Sequence, residues 1–450
     1  MRDPRMKKPA TKEADIHTSL LPELRPPLER KSTDTDDGGA SVPGAVFNVS
    51  TSIIGAGIMS IPATLKVLGI IPAFILIVII AVLSDVSVNF LLRFTNIGNS
   101  RTYAGVMGEA FGRIGSLALQ ICVMLTNMGS LIIYLIIIGD VLSGSQSEES
   151  IYLGVLQEWF GFHWWNTRAF ALLFTVLFVM LPLVLLRRVE SLRFTSAVSV
   201  LLAVVFVAIS TVMAIVALWE GKTQSPRLFP DLAHQASFFE LFTAVPVIVT
   251  AFTFHFNVHP IAAELQNPSK MVSAVRISLI LCSTIYLTVG FFGYLLFGDS
   301  IMPDILVNFD RNSDSPMGSV LDDTVRLSYA LHLMLVFPLL NFSLRANIHE
   351  LFTKSPPSAS DTTKFVSLTC SLLGLIYIAA IALPNIWYFF QFMGSTSAVR
   401  LTLIFPGAIA LRDVHGISTR RDRILAALMI ILAVITSCVA ITSNVTSLTR

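Results

Sequence analysis

The sequence predicts an all-α polytopic membrane protein of eleven transmembrane helices, built as a 5+5 inverted repeat plus one extra helix, with helices 1 and 6 broken. Three observations predict it. The 450 residues are 54% apolar and only 13% charged, where a soluble domain carries about a quarter charged residues. The charges are also unevenly spread: residues 1–42 hold 16 of the 60, eight basic and eight acidic. What remains is too sparse to cover a soluble surface. Third, the polar residues left inside the apolar runs gather in two places, five spans apart. Together these exclude a soluble enzyme and a disulfide-rich secreted domain. No basic face is large enough for nucleic acid, and the net charge of +2 says little as a total.

The elements follow in order. Residues 1–42 read as a disordered cytosolic tail, because they mix both charge signs, add Pro22, Pro26 and Pro27, and lack apolar content to fold. Leu20-Leu21-Pro22 resembles an acidic dileucine signal, but Asp15 stands one position too far away, so it reads as chance. A window of about 20 apolar residues, the length that crosses a bilayer, gives spans at 44–65, 70–92, 116–142, 167–186, 195–219, 238–262, 277–298, 324–344, 364–383, 386–411 and 424–445. The first lies too far along the chain to be a removed signal peptide. Residues 103–113 predict a short amphipathic helix on the cytosolic face. The acidic stretch Asp299 to Asp323 predicts a solvated loop on the opposite side.

Orientation follows from the basic residues. With the N-terminus in the cytosol, cytosolic segments hold 23 Lys and Arg against seven on the other side, and Arg400 lies inside a span. The C-terminus is then lumenal or extracellular. Cys122, Cys282, Cys370 and Cys438 all fall in apolar runs, with no CxxC or Cys/His spacing, and read as buried small apolar residues. No cofactor and no metal site are expected.

The first and sixth spans are the irregular ones. Span one reads Asn48-Val49-Ser50-Thr51-Ser52-Ile53-Ile54-Gly55-Ala56-Gly57, and two glycines after a Ser/Thr cluster are poor helix material. A break there exposes N–H groups that suit a carboxylate and carbonyls that suit an ammonium or small cation. Close packing by small residues is the plain alternative. Span six carries Pro246, Thr250, Thr253, His255, Asn257, His259 and Pro260, then Glu264. Two interrupted helices in corresponding, antiparallel positions are the signature of an inverted repeat. They predict a transporter domain over 43–450: repeat one over about 43–219, repeat two over about 237–411, and an additional helix over about 424–445, with a site between the breaks.

Other polar residues in the spans have two readings each. His255 and His259 stand four apart on one face, but with no third ligand or HExxH they read as hydrogen-bonded histidines lining a polar path. Asp85 is an intramembrane carboxylate, hence a functional candidate, and pairing with Arg93 or snorkelling is the alternative. Arg400 is expected to face the protein interior or an aqueous path. Asp140 and Glu264 sit at span ends, where a wet interface accounts for them.

Phe47-Asn48-Val49-Ser50, Gly55-Ala56-Gly57-Ile58, Tyr103 with Phe111-Gly112, Phe254-His255 with Pro260-Ile261 and Glu264-Leu265, and Gly394-Ser395-Thr396-Ser397-Ala398 resemble the amino acid/auxin permease family. The match runs from about 43 to 445 in the expected order. It looks nearest to the sodium-coupled neutral amino acid transporters and the plant and fungal vacuolar amino acid transporters. The ending Ile404-Phe405-Pro406-Gly407-Ala408-Ile409-Ala410-Leu411-Arg412-Asp413 looks most like the plant vacuolar type. The resemblance implies a leucine-transporter-type fold with an amino acid held at the two breaks. Carried over by position, the backbone of Gly55, Ala56 and Gly57 would hold the carboxylate. Carbonyls around Ser52 and Ala251, Phe252 and Thr253 would hold the amino group, and Phe252, Phe254 and His255 would shape the side-chain pocket. Sodium-coupled relatives bind their ion with an Asn in the first helix and a Thr in the eighth. Here those positions are Thr51 and Val336, and a valine offers no side-chain oxygen, so proton coupling or uncoupled exchange gains ground. Vertebrate relatives carry an extracellular-loop disulfide, for which this chain has no loop cysteine.

The expected function is therefore secondary active transport of small neutral amino acids by alternating access, proton-coupled or sodium-independent, and not enzymatic catalysis. A sensor that binds amino acid and signals through its tail is the alternative. An intramembrane hydrolase lacks facing aspartates, GxSG and HExxH, and a channel would lack saturable stereoselective uptake. Expected partners are a neutral amino acid, H+ or Na+ as coupling ion, and the bilayer, with no nucleic acid and a monomeric state. The charge bias fits any membrane with cytosol on one side. The resemblance favours a vacuolar or other endomembrane over the plasma membrane.

Overall fold

The computed structural model describes residues 41–147, 150–186, 193–231, 235–309, 316–352, 362–383 and 386–448. The expected tail lies outside these residues apart from its last two positions, and so does the dileucine-like Leu20-Leu21. The first helix, α1 (Val42–Ile53), is started by Ser41, whose hydroxyl accepts the Gly44 N–H, and by Pro43 in the first turn. After a three-residue break comes α2 (Gly57–Leu68), then α3 (Ile70–Ile97). Next is α4 (Tyr103–Ser143), kinked at Gly112, whose φ of 67° glycine adopts without a Cβ penalty. The helix expected over 103–113 is thus the short arm of α4. A hairpin of three-residue strands follows, β1 (Ser145–Ser147) antiparallel to β2 (Ser150–Tyr152).

Beyond the hairpin, α5 (Val155–Phe160) leads to α6 (Arg168–Thr175), which passes through a π turn at Val176–Met180 into α7 (Leu181–Val184). Then come α8 (Arg193–Trp219), α9 (Gln235–Ala251), α10 (His255–Glu264) and α11 (Met271–Phe297). The short α12 (Ile305–Asn308) precedes α13 (Pro316–Phe352) and α14 (Thr362–Ala382). Last, α15 (Ile386–Met393) continues through π turns at Gly394–Ala398 and Arg400–Ile404 into α16 (Phe405–Arg412), and α17 (Arg420–Leu448) ends the described chain.

Among the described residues, nine helices are long and apolar enough to cross a membrane, and the pair α1–α2, bent by 56° at its break, makes ten. Arg168–Val184, expected as the fourth span, is apolar but shorter. The all-helical membrane architecture is therefore as expected, while length alone supports ten crossings rather than eleven. The helices sort into two kinds. Ile70–Ile97, Phe194–Trp219, Thr362–Ala382 and Arg420–Ser443 bury only 28–33% of their most apolar stretch and turn Ile75, Val82, Leu201, Ile378 and Leu428 outward. Lipid tails are as apolar as leucine, so an outward apolar face costs nothing there. Tyr103–Ser143, Leu241–Glu264 and Phe389–Arg412 bury 72–78% and form the centre.

Two expectations are corrected, on the cysteines and on the acidic stretch. Cys370 and Cys438 are exposed, on outward faces of α14 and α17, and only Cys122 and Cys282 are buried. Arg400, expected at the protein interior or an aqueous path, is exposed, with its guanidinium beside Cys122. The acidic stretch 299–323 is not simply solvated, since Asp304, Asp322 and Asp323 are buried. Their carboxylates have work to do: Asp304 caps α12 by accepting the Leu306 N–H at 3.0 Å, and Asp323 accepts the Trp159 indole N–H at 2.8 Å. Nearby, Arg326 pairs with Glu158 at 2.6 Å, and Arg168 pairs with Asp140. Burial, with the Asp140 charge close by, pushes the Asp304 carboxyl up to about 7 against the pull of the Leu306 N–H.

A broken helix in a bilayer needs donors for the carbonyls it frees, because each unsatisfied backbone group there costs several kcal/mol. Three consecutive carbonyls at the end of α1 receive them from side chains. The Ile53 carbonyl accepts from the Tyr286 hydroxyl at 2.7 Å, the Ile54 carbonyl lies 3.1 Å from His332 Nε2, and the Gly55 carbonyl accepts from the Tyr329 hydroxyl at 2.7 Å. The second break, between α9 and α10, packs directly on the first. A Cβ added to Gly57 would fall 2.7 Å from the Ala251 Cα. The Tyr286 hydroxyl also stands 2.9 Å from the Ala251 carbonyl, so one proton is shared between the two breaks.

Two consequences are measurable. Gly57→Val drives a side chain into the Ala251 backbone, so it should lower the melting temperature and the folded yield on size exclusion. Gly374→Ala, whose added Cβ meets nothing within 4 Å, should match the wild type. Tyr286→Phe leaves buried carbonyls without their donor and should cost about 1–3 kcal/mol of stability, read as a lower melting temperature in detergent. An unchanged Tyr286→Phe melting temperature would mean the break does not depend on this hydroxyl.

Candidate functional site at the two helix breaks

The N-terminal end of α2 is the polar focus of the bundle. Its first internal bonds run from the Ile58 N–H to the Gly55 carbonyl and from the Met59 N–H to the Ala56 carbonyl. The N–H groups of Gly55, Ala56 and Gly57 stand ahead of them, and no side chain caps this terminus. The Tyr134 hydroxyl covers them: it meets the Ala56 backbone and stands where a Gly55 Cβ would come within 2.1 Å. A side chain at Gly55 would displace it. α10 opens in the same way, with Phe254 at its cap position and no side-chain cap. Two buried helix starts therefore lie at the breaks, the one at α2 met by the Tyr134 hydroxyl and the one at α10 without a side-chain cap.

The residues named from the sequence gather here with few exceptions. The Ser52 hydroxyl donates to the Asn48 carbonyl at 2.8 Å and accepts from Asn257 Nδ2 at 3.1 Å, and the Ser343 hydroxyl donates to Asn257 Oδ1. Ser52 thus links the first break to α10 and α13. Ala251 abuts Gly57. The Thr253 hydroxyl donates to the Val249 carbonyl at 2.7 Å and lies 3.2 Å from the Thr402 hydroxyl. Phe252 and Phe254 are fully buried, Phe252 edge-on to the Tyr286 ring at 5.2 Å and Phe254 beside the His255 ring at 4.9 Å.

The two histidines of α10 turn to α3 rather than to a common point. His255 Nε2 lies 2.5 Å from the Ser87 hydroxyl, and His259 Nε2 lies 2.8 Å from the Thr95 hydroxyl with its ring stacked on Tyr103. Asp85 is not brought to the breaks. It pairs with Arg276 of α11 at 3.2 Å, while Arg93, the partner weighed for it, pairs with Asp422 at 2.9 Å.

Thr51 and Val336 come to the same side of the first break. The Thr51 hydroxyl donates to the Ser196 carbonyl at 3.2 Å and lies 3.3 Å from the Ser199 hydroxyl, both on α8. Val336 is fully buried one turn beyond His332 on α13. Sequence reasoning passed over four residues that the geometry puts at the breaks: Tyr134, Tyr286, Tyr329 and His332. Their signal was a polar tip in the middle of an apolar span, and for His332 an ionisable group inside the membrane.

Comparison with known proteins agrees with this architecture. Residues 38–448 match the family model described as transmembrane amino acid transporter protein. The chain is 60% identical over 434 residues to Amino acid transporter AVT6C of Arabidopsis thaliana, covering 96% of this chain and 98% of that one. It is 25% identical over 407 residues to Sodium-coupled neutral amino acid transporter 7 of Danio rerio, covering 87% and 82%. Among solved structures, a Na+-coupled sialic acid symporter superposes with a TM-score of 0.53 at 13% identity, covering 89% of this chain and 90% of that one. MhsT in complex with L-phenylalanine superposes with a TM-score of 0.51 at 15% identity, covering 91% and 100%. These two share the leucine-transporter-type fold. The chain is an integral multi-pass membrane protein that belongs to the transmembrane amino acid transporter family.

Proposed function

We propose that the protein carries small neutral amino acids across a vacuolar or other endomembrane by alternating access, using protons or no ion rather than sodium. One observation carries the reading: two helix breaks packed on each other at Gly57 and Ala251, with uncapped helix starts beside freed carbonyls. A zwitterion needs an anion site and a cation site a few ångströms apart, and that is what such a pair offers. The N–H groups of Gly55, Ala56 and Gly57 take the carboxylate, carbonyls around Ser52 and Ala251–Thr253 take the ammonium, and Phe252, Phe254 and His255 bound the side chain. The fully buried aromatic surroundings favour a small substrate.

The same reading makes Arg168–Val184 the fourth of eleven crossings and places the N-terminus in the cytosol. The breaks in α1–α2 and α9–α10 then belong to two inverted repeats, and one helix bundle rocks around the central site in a monomer. Sodium is disfavoured by the chemistry of its expected place. Val336 offers only carbon, and Thr51, whose hydroxyl hydrogen goes to α8, is left as the one side-chain oxygen of the expected pair. The sodium-coupled relative of Danio rerio marks the contrast.

Reconstituted into proteoliposomes, the purified protein should take up labelled alanine saturably and stereoselectively. Uptake should be driven by a pH gradient and indifferent to replacing sodium with choline. Gly55→Trp, which fills the space held by Tyr134, should abolish saturable uptake while leaving the protein monodisperse. Undiminished flux in Gly55→Trp would remove the proposed site, and strong sodium dependence would overturn the coupling.

A further inference from the structure

His332 is placed where only a cation satisfies all its neighbours. Its Nδ1 lies 2.6 Å from the Ser199 carbonyl of α8, and its Nε2 lies 3.1 Å from the Ile54 carbonyl at the end of α1. Carbonyl oxygens only accept hydrogen bonds. A neutral imidazole has one N–H and one lone pair, so in either tautomer one ring nitrogen would set its lone pair against a carbonyl oxygen. The imidazolium has two N–H groups and satisfies both. The side chain is fully buried, away from bulk water.

The neighbours reinforce this. The Ile54 carbonyl ends a helix, where the dipole favours positive charge. α1 carries no acid or base, and α8 none after its first residue, Arg193. The titratable group beside the ring is Tyr329, on the same helix at 4.7 Å; Tyr134 of α4, Tyr286 of α11 and the carboxyl of Asp304 stand around that phenol, and the Cys282 thiol of α11 meets the Ser50 carbonyl of α1. On α6, Arg168 is taken by Asp140 of α4. Among the described residues the structure shows no carboxylate bonding the ring, and its charge is answered by the two carbonyls.

Resting on the transport reading above, we propose that His332 is the proton-binding residue that couples transport to the pH gradient, with its imidazolium held as the cation between α1 and α8. Protonation adds a proton to the ring nitrogen lone pair, and both N–H groups then tie the broken helix to α8, the arrangement seen here. Loss of that proton to the opposite side turns one tie into a lone-pair repulsion and frees the end of α1 to move. Thr51, bonded to the same stretch of α8, is the second tie and does not titrate.

The test uses full-length protein in proteoliposomes with the membrane potential clamped at zero. Under a gradient of one pH unit, one proton per substrate drives about tenfold accumulation of alanine. The wild type should approach that ratio, and its alanine exchange at equal pH on both sides should depend on pH. In His332→Gln the accumulation ratio should fall to about one, and the exchange that remains should lose its pH dependence. His332→Asn is read in the same way if Gln does not give monodisperse protein. A variant that still accumulates alanine, or whose exchange keeps the wild-type pH profile, overturns the proposal. Wild-type accumulation without any proton movement, followed by a pH dye, overturns it too and leaves amino acid transport standing. Absence of any saturable alanine flux in the wild type removes the transport reading and this inference with it.

Discussion

The structure depends on how the carbonyls freed at the end of α1 are satisfied inside a bilayer. Ile53 and Ile54 have no continuing helix to bond, Gly55 has only the long bond from the Ile58 N–H at 3.3 Å, and lipid offers no donor. Two phenols and an imidazole, from α11 and α13, supply what is missing. These partners are more than 200 residues away in sequence, so the break exists only in the assembled bundle. Helices α11 and α13 are thereby fixed as the wall behind the break, and the N–H groups at the start of α2 are left pointing to the other side.

The second constraint is proximity. Gly57 lets the backbone of the first break reach Ala251 of the second, and Gly394 allows a similar approach, since a Cβ there would fall 2.2 Å from the Pro246 carbonyl of α9. Small residues do in the membrane what apolar side chains do in a soluble core: they let backbones touch. Polar pairs such as Ser52 with Asn257 and Thr253 with Thr402 then tie the breaks to their neighbours. The outer helices hold this centre in lipid with their broad apolar faces, while the inner faces of α3 and α8 lend it Ser87, Thr95, Ser196 and Ser199.

Much of this was legible in the chain. Runs of about 20 apolar residues located the crossings, and the Ser/Thr-Gly cluster and the Pro/Thr/His cluster located both breaks, because helix-poor residues in mid-membrane have few other uses. The donors were not legible. Tyr134, Tyr286 and Tyr329 sit in apolar spans, where a phenol looks like any large filler, and only tertiary contact reveals which hydroxyl meets which carbonyl. His332 was overshadowed by His255 and His259, whose spacing drew attention to metal chemistry, whereas those two bond separate hydroxyls of α3 and His332 bonds α8. The acidic residues 304, 322 and 323 looked solvated because charge usually is; capping α12 and receiving Trp159 bury two of them. Arg400 and the outward cysteines show the same limit, since position along a span does not say which way a residue faces.

The central claim is that the two breaks form one amino acid site. The most direct measurement is an experimental structure of the protein with alanine bound. The account predicts the carboxylate within hydrogen-bonding distance of the N–H groups of Ala56 and Gly57, with the ammonium against carbonyls near Ser52 and Ala251–Thr253. Alanine bound elsewhere, for instance among Asp140, Arg326 and Asp304, with the N–H groups of α2 still covered by Tyr134, would contradict it.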